Sequence, residues 1–368
     1  MGLGDDAAEN LAMQDPTLER SFRGHRGAVH AVCFNPSMKQ LISGGEDNMV
    51  LVWNFKPQMR AFKFAGHRGA VYSVAFSPSH PLIASASHDC TVRVWQPSVE
   101  GRSTVIKAHN APVRSVSYAA DGRSMITASD DKTVKVWSLP NQRFKASLTG
   151  HKNWVRSAEF SPDGRLAASC GDDRTARLWD LASGRAIHTF DAGSPLSSVA
   201  FGPDGTSLAA AGADKTVRVW DVRTRTLLQH YASHTRPVNR VVFHPSGSFL
   251  LSSSADATLK VWDLREGQLM YTLHAHEGAT LGAGFSPAGD YFASCGADEQ
   301  VMVWRRASRG GRRRGPEGRP PRGPSVRPVR PVRARPVRDR PVRDRPDQAR
   351  PVRARPPGPT STGTLPIT

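Results

Sequence analysis

The sequence predicts an all-β propeller built from repeated four-stranded sheets, and three residue series in common register predict it. Tryptophans stand at Trp53, Trp95, Trp137, Trp179, Trp220, Trp262 and Trp304, at intervals of 42, 42, 42, 41, 42 and 42 residues, and only Trp154 lies off this ladder. A histidine precedes six of the seven by 28 residues: His25, His67, His109, His151, His234 and His276. An aspartate precedes every one by six: Asp47, Asp89, Asp131, Asp173, Asp214, Asp256 and Asp298. A fixed period of about 20–50 residues marks a solenoid, a propeller or an array.

Each period has the texture of short strands. In the third copy, Val113–Tyr118 alternates as a strand and residues 119–122 (Ala-Ala-Asp-Gly) read as a turn. A second strand follows at Ser124–Ser129, then a tight turn at residues 130–132, a third strand at 133–137 and a fourth at 144–148. Four strands per unit of about 42 residues is the pattern of a propeller blade. The turn residues agree: Ser161-Pro162-Asp163-Gly164, Gly202-Pro203-Asp204-Gly205 and His244-Pro245-Ser246-Gly247 occupy equivalent places and supply the backbone angles that turns require. Apolar runs of this length cannot bury enough surface within one unit, so neighbouring sheets must stack face to face.

Gly-His, then Ser-x-Asp or a relative, then Trp, is the recurring phrase, and Trp179-Asp180, Trp220-Asp221 and Trp262-Asp263 end it with Asp. On these residues the chain resembles the WD-repeat family over residues 18–304. The resemblance implies a seven-bladed ring in which the sequence repeat is offset from the blade. The last copy stops after its third strand at Trp304, so the N-terminal segment, roughly residues 18–23, is expected to supply the missing outer strand and close the ring. It also implies what the polar residues do. Asp accepts from His, a hydroxyl joins His, and the indole N–H completes the chain, as in His109, Thr127, Asp131 and Trp137. A Ser-His-Asp hydrolase triad is the competing reading, but no enzyme needs six copies of one triad at this spacing. No GxxxxGK[ST], HExxH or GxSxG motif is present, and no enzyme activity, cofactor, metal or small-molecule substrate is expected.

The fifth copy departs from the pattern. Its histidine position holds Ala192 or Gly193 and its hydroxyl position Ala210, so both members of one contact are missing together. A buried polar network predicts that coupling, because a leftover partner would be buried unpaired. Blade five is therefore expected to be the weakest.

Partners are expected at the rim, where loops stand on a rigid scaffold. One position at the start of each inner strand reads His30, Tyr72, Arg114, Arg156, Ser197, Asn239 and Leu281, and Trp154 stands two residues before Arg156. Tyr72, Arg114, Trp154 and Arg156 come from adjacent blades and are of the types that dominate interface energetics. They are the candidate partner-binding residues.

The net charge of +18 is unevenly placed. From Arg305 onward stand 19 arginines and four acids, so the preceding residues carry only +3. This last stretch lacks lysine and aromatic residues and repeats Arg-Pro-Val-Arg at 327–330, 335–338, 340–343 and 350–353. Frequent proline and charge repulsion oppose a packed core. Weak polyanion binding is one reading; a terminus without an evolved role, from GC-rich coding sequence, is the other. The resulting division is a flexible N-terminus at 1–16, a propeller at 17–305 and a disordered Arg/Pro-rich tail at 306–368. No apolar run reaches about 18 residues, the N-terminus has no signal or transit pattern, and the four dispersed cysteines fit a reduced intracellular setting. No membrane association is expected.

Longer phrases narrow the resemblance. Asp15-Pro16-Thr17-Leu18-Glu19-Arg20 before Phe22-Arg23-Gly24-His25, Lys56-Pro57-Gln58-Met59-Arg60-Ala61, Leu227-Leu228-Gln229-His230-Tyr231, and Asp298-Glu299-Gln300-Val301-Met302-Val303-Trp304 are similar to the centriolar WD-repeat proteins. That similarity implies a scaffold of centrioles and basal bodies that supports centriole assembly and cilium formation, with centriolar and microtubule-associated partners. The implied locations are cytoplasm, cytoskeleton, centrosome, cilium basal body and spindle pole. Such relatives carry a C-terminal coiled coil, and no heptads follow Trp304 here. An adaptor in a ubiquitin ligase or chromatin complex, and a nucleic-acid-associated protein acting through the tail, are the alternatives.

Overall fold

Four-stranded antiparallel sheets recur seven times along the chain in a computed structural model, which describes residues 16–56, 61–98, 101–139, 141–306 and 326–328. The tail expected at 306–368 and the N-terminus expected at 1–16 lie almost wholly outside these residues. No helix occurs among the described residues. Blades one to six are simple meanders at residues 29–65, 71–107, 113–149, 155–191, 196–231 and 238–274. Blade three has the strands Val113–Tyr118, Ser124–Ser129, Thr133–Ser138 and Arg143–Thr149 from inside to outside. The third and fourth are slightly longer than the sequence suggested.

Blade seven is made from both ends of the repeat region. Thr280–Phe285, Tyr291–Gly296 and Gln300–Arg305 give its first three strands, and Thr17–Arg23 pairs antiparallel to Gln300–Arg305 as the outermost. The expected closure by the N-terminal segment is thus present, one residue longer than anticipated. Edge pairing of this kind leaves no open seam between first and last blades.

The cores prove that the ring is closed. Seven apolar clusters lie between seven pairs of neighbouring blades. One joins blade one to blade two through Ile42, Val52, Phe64, Val71 and Trp95, and the next joins blades two and three through Val94, Ile106, Val113 and Trp137. The sequence continues around the circle. The seventh cluster joins Ala293, Cys295 and Val303 of blade seven to Val29, Leu41 and Trp53 of blade one. A sheet with a neighbour on each face needs apolar residues on both sides, which explains why second strands are buried at nearly every position. It also demands small residues. A Cβ on Gly44 would come within 2.6 Å of Val71 Cγ1 in the next blade.

A further short strand, Val326–Pro328, pairs with the outer strand of blade six, Gln268–His274. No strand was expected after residue 305, because frequent proline and charge repulsion argue against one.

Candidate docking face

The repeated polar residues assemble into a hydrogen-bonded relay in six of the seven blades. In blade four the Trp179 indole N–H donates to Ser169 Oγ at 2.8 Å, Ser169 Oγ lies 2.7 Å from His151 Nε2, and His151 Nδ1 lies 2.8 Å from Asp173. The same order holds in blade one (Trp53, Ser43, His25, Asp47) and blade two (Trp95, Ser85, His67, Asp89). It recurs in blade three (Trp137, Thr127, His109, Asp131), blade six (Trp262, Ser252, His234, Asp256) and blade seven (Trp304, Ser294, His276, Asp298).

A neutral imidazole is compatible with the donor count. The indole can only donate, so the hydroxyl accepts from it and gives its own proton to His Nε2. His Nδ1–H is then left to donate to Asp, and one neutral tautomer satisfies every atom. Burial, outweighing the Asp contact, pushes His25, His109 and His234 below the ordinary imidazole value. At Asp89, Asp131, Asp173 and Asp256, burial works upward but is overcome by the donors from His and neighbouring groups, leaving each carboxyl well below the usual range. Ser169 is fully buried, and its oxygen sits between an indole donor and an imidazole. That is no geometry for a nucleophile, which needs access to substrate.

Each Asp has a second task. The residue after it adopts a left-handed backbone in all seven blades: Asn48, Cys90, Lys132, Arg174, Lys215, Ala257 and Glu299, at φ of 62–67°. This conformation costs a non-glycine residue about 1–2 kcal/mol. The Asp oxygen offsets that cost by accepting the N–H two residues on, as Asp131 does from Thr133.

Blade five lacks the relay. Ala192 and Ala210 are buried in its core, and Ala210 offers Trp220 Nε1 no acceptor. Asp214 keeps its turn contact with Thr216 but takes Arg218 as its charged partner, with Nη2 at 2.5 Å. That replacement could not be read from the spacing, because other copies also carry a basic residue there (Arg93, Lys135, Arg177, Lys260).

The relays anchor the loops that surround a second feature. Every inner strand begins with a β-bulge, and the residue skipped by the register is His30, Tyr72, Arg114, Arg156, Ser197, Asn239 or Leu281. Bulges re-aim side chains, and here they turn one residue per blade onto the rim. The four candidate residues are brought together. The Arg114 guanidinium lies 4.4 Å from the Tyr72 ring centre and 6.0 Å from that of Trp154, and Arg156 lies 5.1 Å from Trp154 on the same ring. His30 continues the row, 5.2 Å from Tyr72. Trp154 remains 43% exposed.

Three further residues hold this row, and the sequence reading missed them. Asp130 accepts from Arg114 Nε and Nη2 at 2.9 and 2.7 Å, and Asp172 accepts from Arg156 at 2.8 and 2.6 Å. Glu46 faces His30 at 3.6 Å. The signal was available. Each bulge residue has its counterpart 16 positions later, and arginine copies are those with an Asp doublet, Asp130-Asp131 and Asp172-Asp173. In blades five to seven the counterparts are Ala213, Ala255 and Ala297, beside Ser197, Asn239 and Leu281. The rim is therefore two-sided: large polar pairs on blades one to four, small or apolar residues on five to seven.

A family model described as "WD domain, G-beta repeat" matches this chain seven times, at residues 16–54, 59–96, 101–138, 142–180, 184–221, 225–263 and 267–305. Among curated proteins, the chain is 57% identical over 51 residues to "POC1 centriolar protein homolog A" of Xenopus tropicalis, covering 14% of this chain and 12% of that protein. It is 56% identical over 52 residues to the Danio rerio protein of the same name, again 14% and 12%. It is 53% identical over 52 residues to "POC1 centriolar protein homolog B" of Danio rerio, 14% and 11%. The matched segments thus span about an eighth of these relatives' length.

Proposed function

Since the chain belongs to the WD-repeat family, whose seven matched units fill residues 16–305 apart from short gaps, we propose that it is a non-enzymatic scaffold holding protein partners at centrioles and basal bodies. The observation that carries the scaffold reading is the row from His30 through Tyr72, Arg114 and Trp154 to Arg156. Its side chains are held by carboxylates and ring contacts before any partner arrives. Side chains already ordered lose little further entropy on binding, and an exposed Trp flanked by Arg is a favoured hot spot.

The centriolar part rests on likeness to relatives named as centriolar proteins. Centriolar or microtubule-associated proteins are the proposed partners, and centrosome, basal body and spindle pole the proposed locations. The division into an N-terminal extension at 1–16, a propeller at 17–305 and a tail at 306–368 is proposed with it, the propeller being the part that docks.

The test is localisation of the tagged full chain with and without Trp154→Ala and Arg156→Ala together. The unaltered chain should form centriolar spots. The double variant should keep its melting temperature within a few degrees and lose most of the spots. Undiminished spots with the double variant would remove the rim from the proposal, and absence of spots from the unaltered chain would remove the centriole.

A further inference from the structure

Two described segments beyond the third strand of blade seven touch blade six. Arg306 follows the third strand of blade seven, yet its Nη1 is 3.3 Å from His244 Nε2 and its guanidinium lies 4.9 Å from the Phe249 ring centre. His244 immediately follows the inner strand of blade six and Phe249 begins its second strand. Twenty positions later, Val326–Pro328 pairs antiparallel to the outer strand of that same blade: Val326 opposite Leu273, Arg327 opposite Thr272, Pro328 opposite Tyr271. Extended chain covers about 3.3 Å per residue, so the intervening length is ample.

The outer strand that receives it differs from the others. Outer strands are the edges on which a propeller invites unwanted pairing, and charged residues are the usual protection. Lys63 guards blade one, Lys107 blade two, Arg143 and Lys145 blade three, Arg185 and Asp191 blade four, and Glu19, Arg20 and Arg23 blade seven. Gln268–His274 has no Asp, Glu, Lys or Arg over seven residues. Leu227–Tyr231 of blade five also lacks one but is two residues shorter.

We propose that the outer edge of blade six is a β-addition site and that this chain's own Val326–Pro328 occupies it. The proline is compatible with that role. Residues of an antiparallel strand alternate between facing the partner and facing away. Proline has no N–H, so Arg327 and Thr272 exchange the hydrogen bonds and the Pro328 nitrogen faces outward, where an edge strand tolerates it. Prolines at 328, 331 and 336 are three and five residues apart. Odd spacings turn the next proline toward the partner, which keeps the added strand short. Capping in cis shields an uncharged edge from pairing with a second copy, and any partner strand that uses this edge must displace the cap.

Hydrogen exchange on the full chain tests this at one amide, that of Thr272. It should exchange at least tenfold more slowly than the outward-facing amides of blade four's outer strand. Arg327→Pro removes the pairing N–H and should release Thr272, alone or, if the next Val-Arg-Pro slips into register, together with Arg330→Pro. Arg327→Ala keeps the N–H and should leave Thr272 slow. The proposal is overturned if Thr272 is as fast as blade four in the unaltered chain, if it stays slow in the Arg327→Pro/Arg330→Pro variant, or if Arg327→Ala releases it.

Discussion

Ser169 serves two buried neighbours at once, and that decides what its removal costs. Ser169→Ala strands both the Trp179 indole N–H and His151 Nε2 without water. Each unsatisfied buried group costs about 1–3 kcal/mol, so urea unfolding should show a loss of about 2–6 kcal/mol for the two; a loss below about 0.5 kcal/mol would mean the relay carries no weight. The relays also set the acid response. His25, His109 and His234 titrate lower in the folded chain than in the unfolded one, where the ordinary value is 6.5. The unfolded chain therefore takes up protons that the folded chain refuses, and stability falls as pH drops below about 6.5. The depressed carboxyls act in the same direction at lower pH. Their contribution is complete above the unfolded value of 3.8 and is lost as pH falls through the folded values. Unfolding midpoints measured from pH 8 to 3 should decline in both windows, and a rise between pH 7 and 5 would contradict the neutral-imidazole assignment.

Among the blades, the fifth is the exception on which element-scale behaviour turns. It has an apolar pair, Ala192 and Ala210, where the others have His and a hydroxyl, and its aspartate is tied to Arg218 on its own sheet instead of to the preceding loop. The loop before blade five thus keeps backbone hydrogen bonds, Ala192 N–H to Arg174 O and Ala213 N–H to Pro195 O, but has no side-chain relay, and this blade should open first. Peptide-level hydrogen exchange should show residues 196–231 exchanging faster than any other blade; slowest exchange there would refute the idea. Ala210→Ser should slow it by giving Trp220 Nε1 an acceptor. The blades were legible in the sequence because Trp, His and Asp recur at fixed offsets, and the loss of both relay partners at 192 and 210 could be read directly. Arg218 could not, since a basic residue at that offset is common to several copies and only geometry shows which one reaches the carboxylate. Asp130 and Asp172 were overlooked for a different reason. Each stands beside a relay aspartate, and a doublet reads as one turn until the bulge brings Arg114 and Arg156 opposite.

At the largest scale, the seven described blades form a closed ring with an uneven rim. Seven inter-blade cores, closed by Thr17–Arg23, fix the positions of all seven bulge residues, so the row from His30 to Arg156 is a property of the circle and not of any blade. The closure was foreseeable from a last copy that ends at its third strand, whereas the polarity of the rim required knowing which loops share a face. The proposed docking surface is the rim of blades one to four. Site-specific photo-cross-linking in cells measures this directly, with a cross-linking residue at Lys152, beside Trp154, or at Glu277, on the loop before blade seven. Both positions are exposed. Capture of the same centriolar protein from Lys152 and not from Glu277 is the predicted result. Equal capture from both, or capture from Glu277 alone, would contradict it.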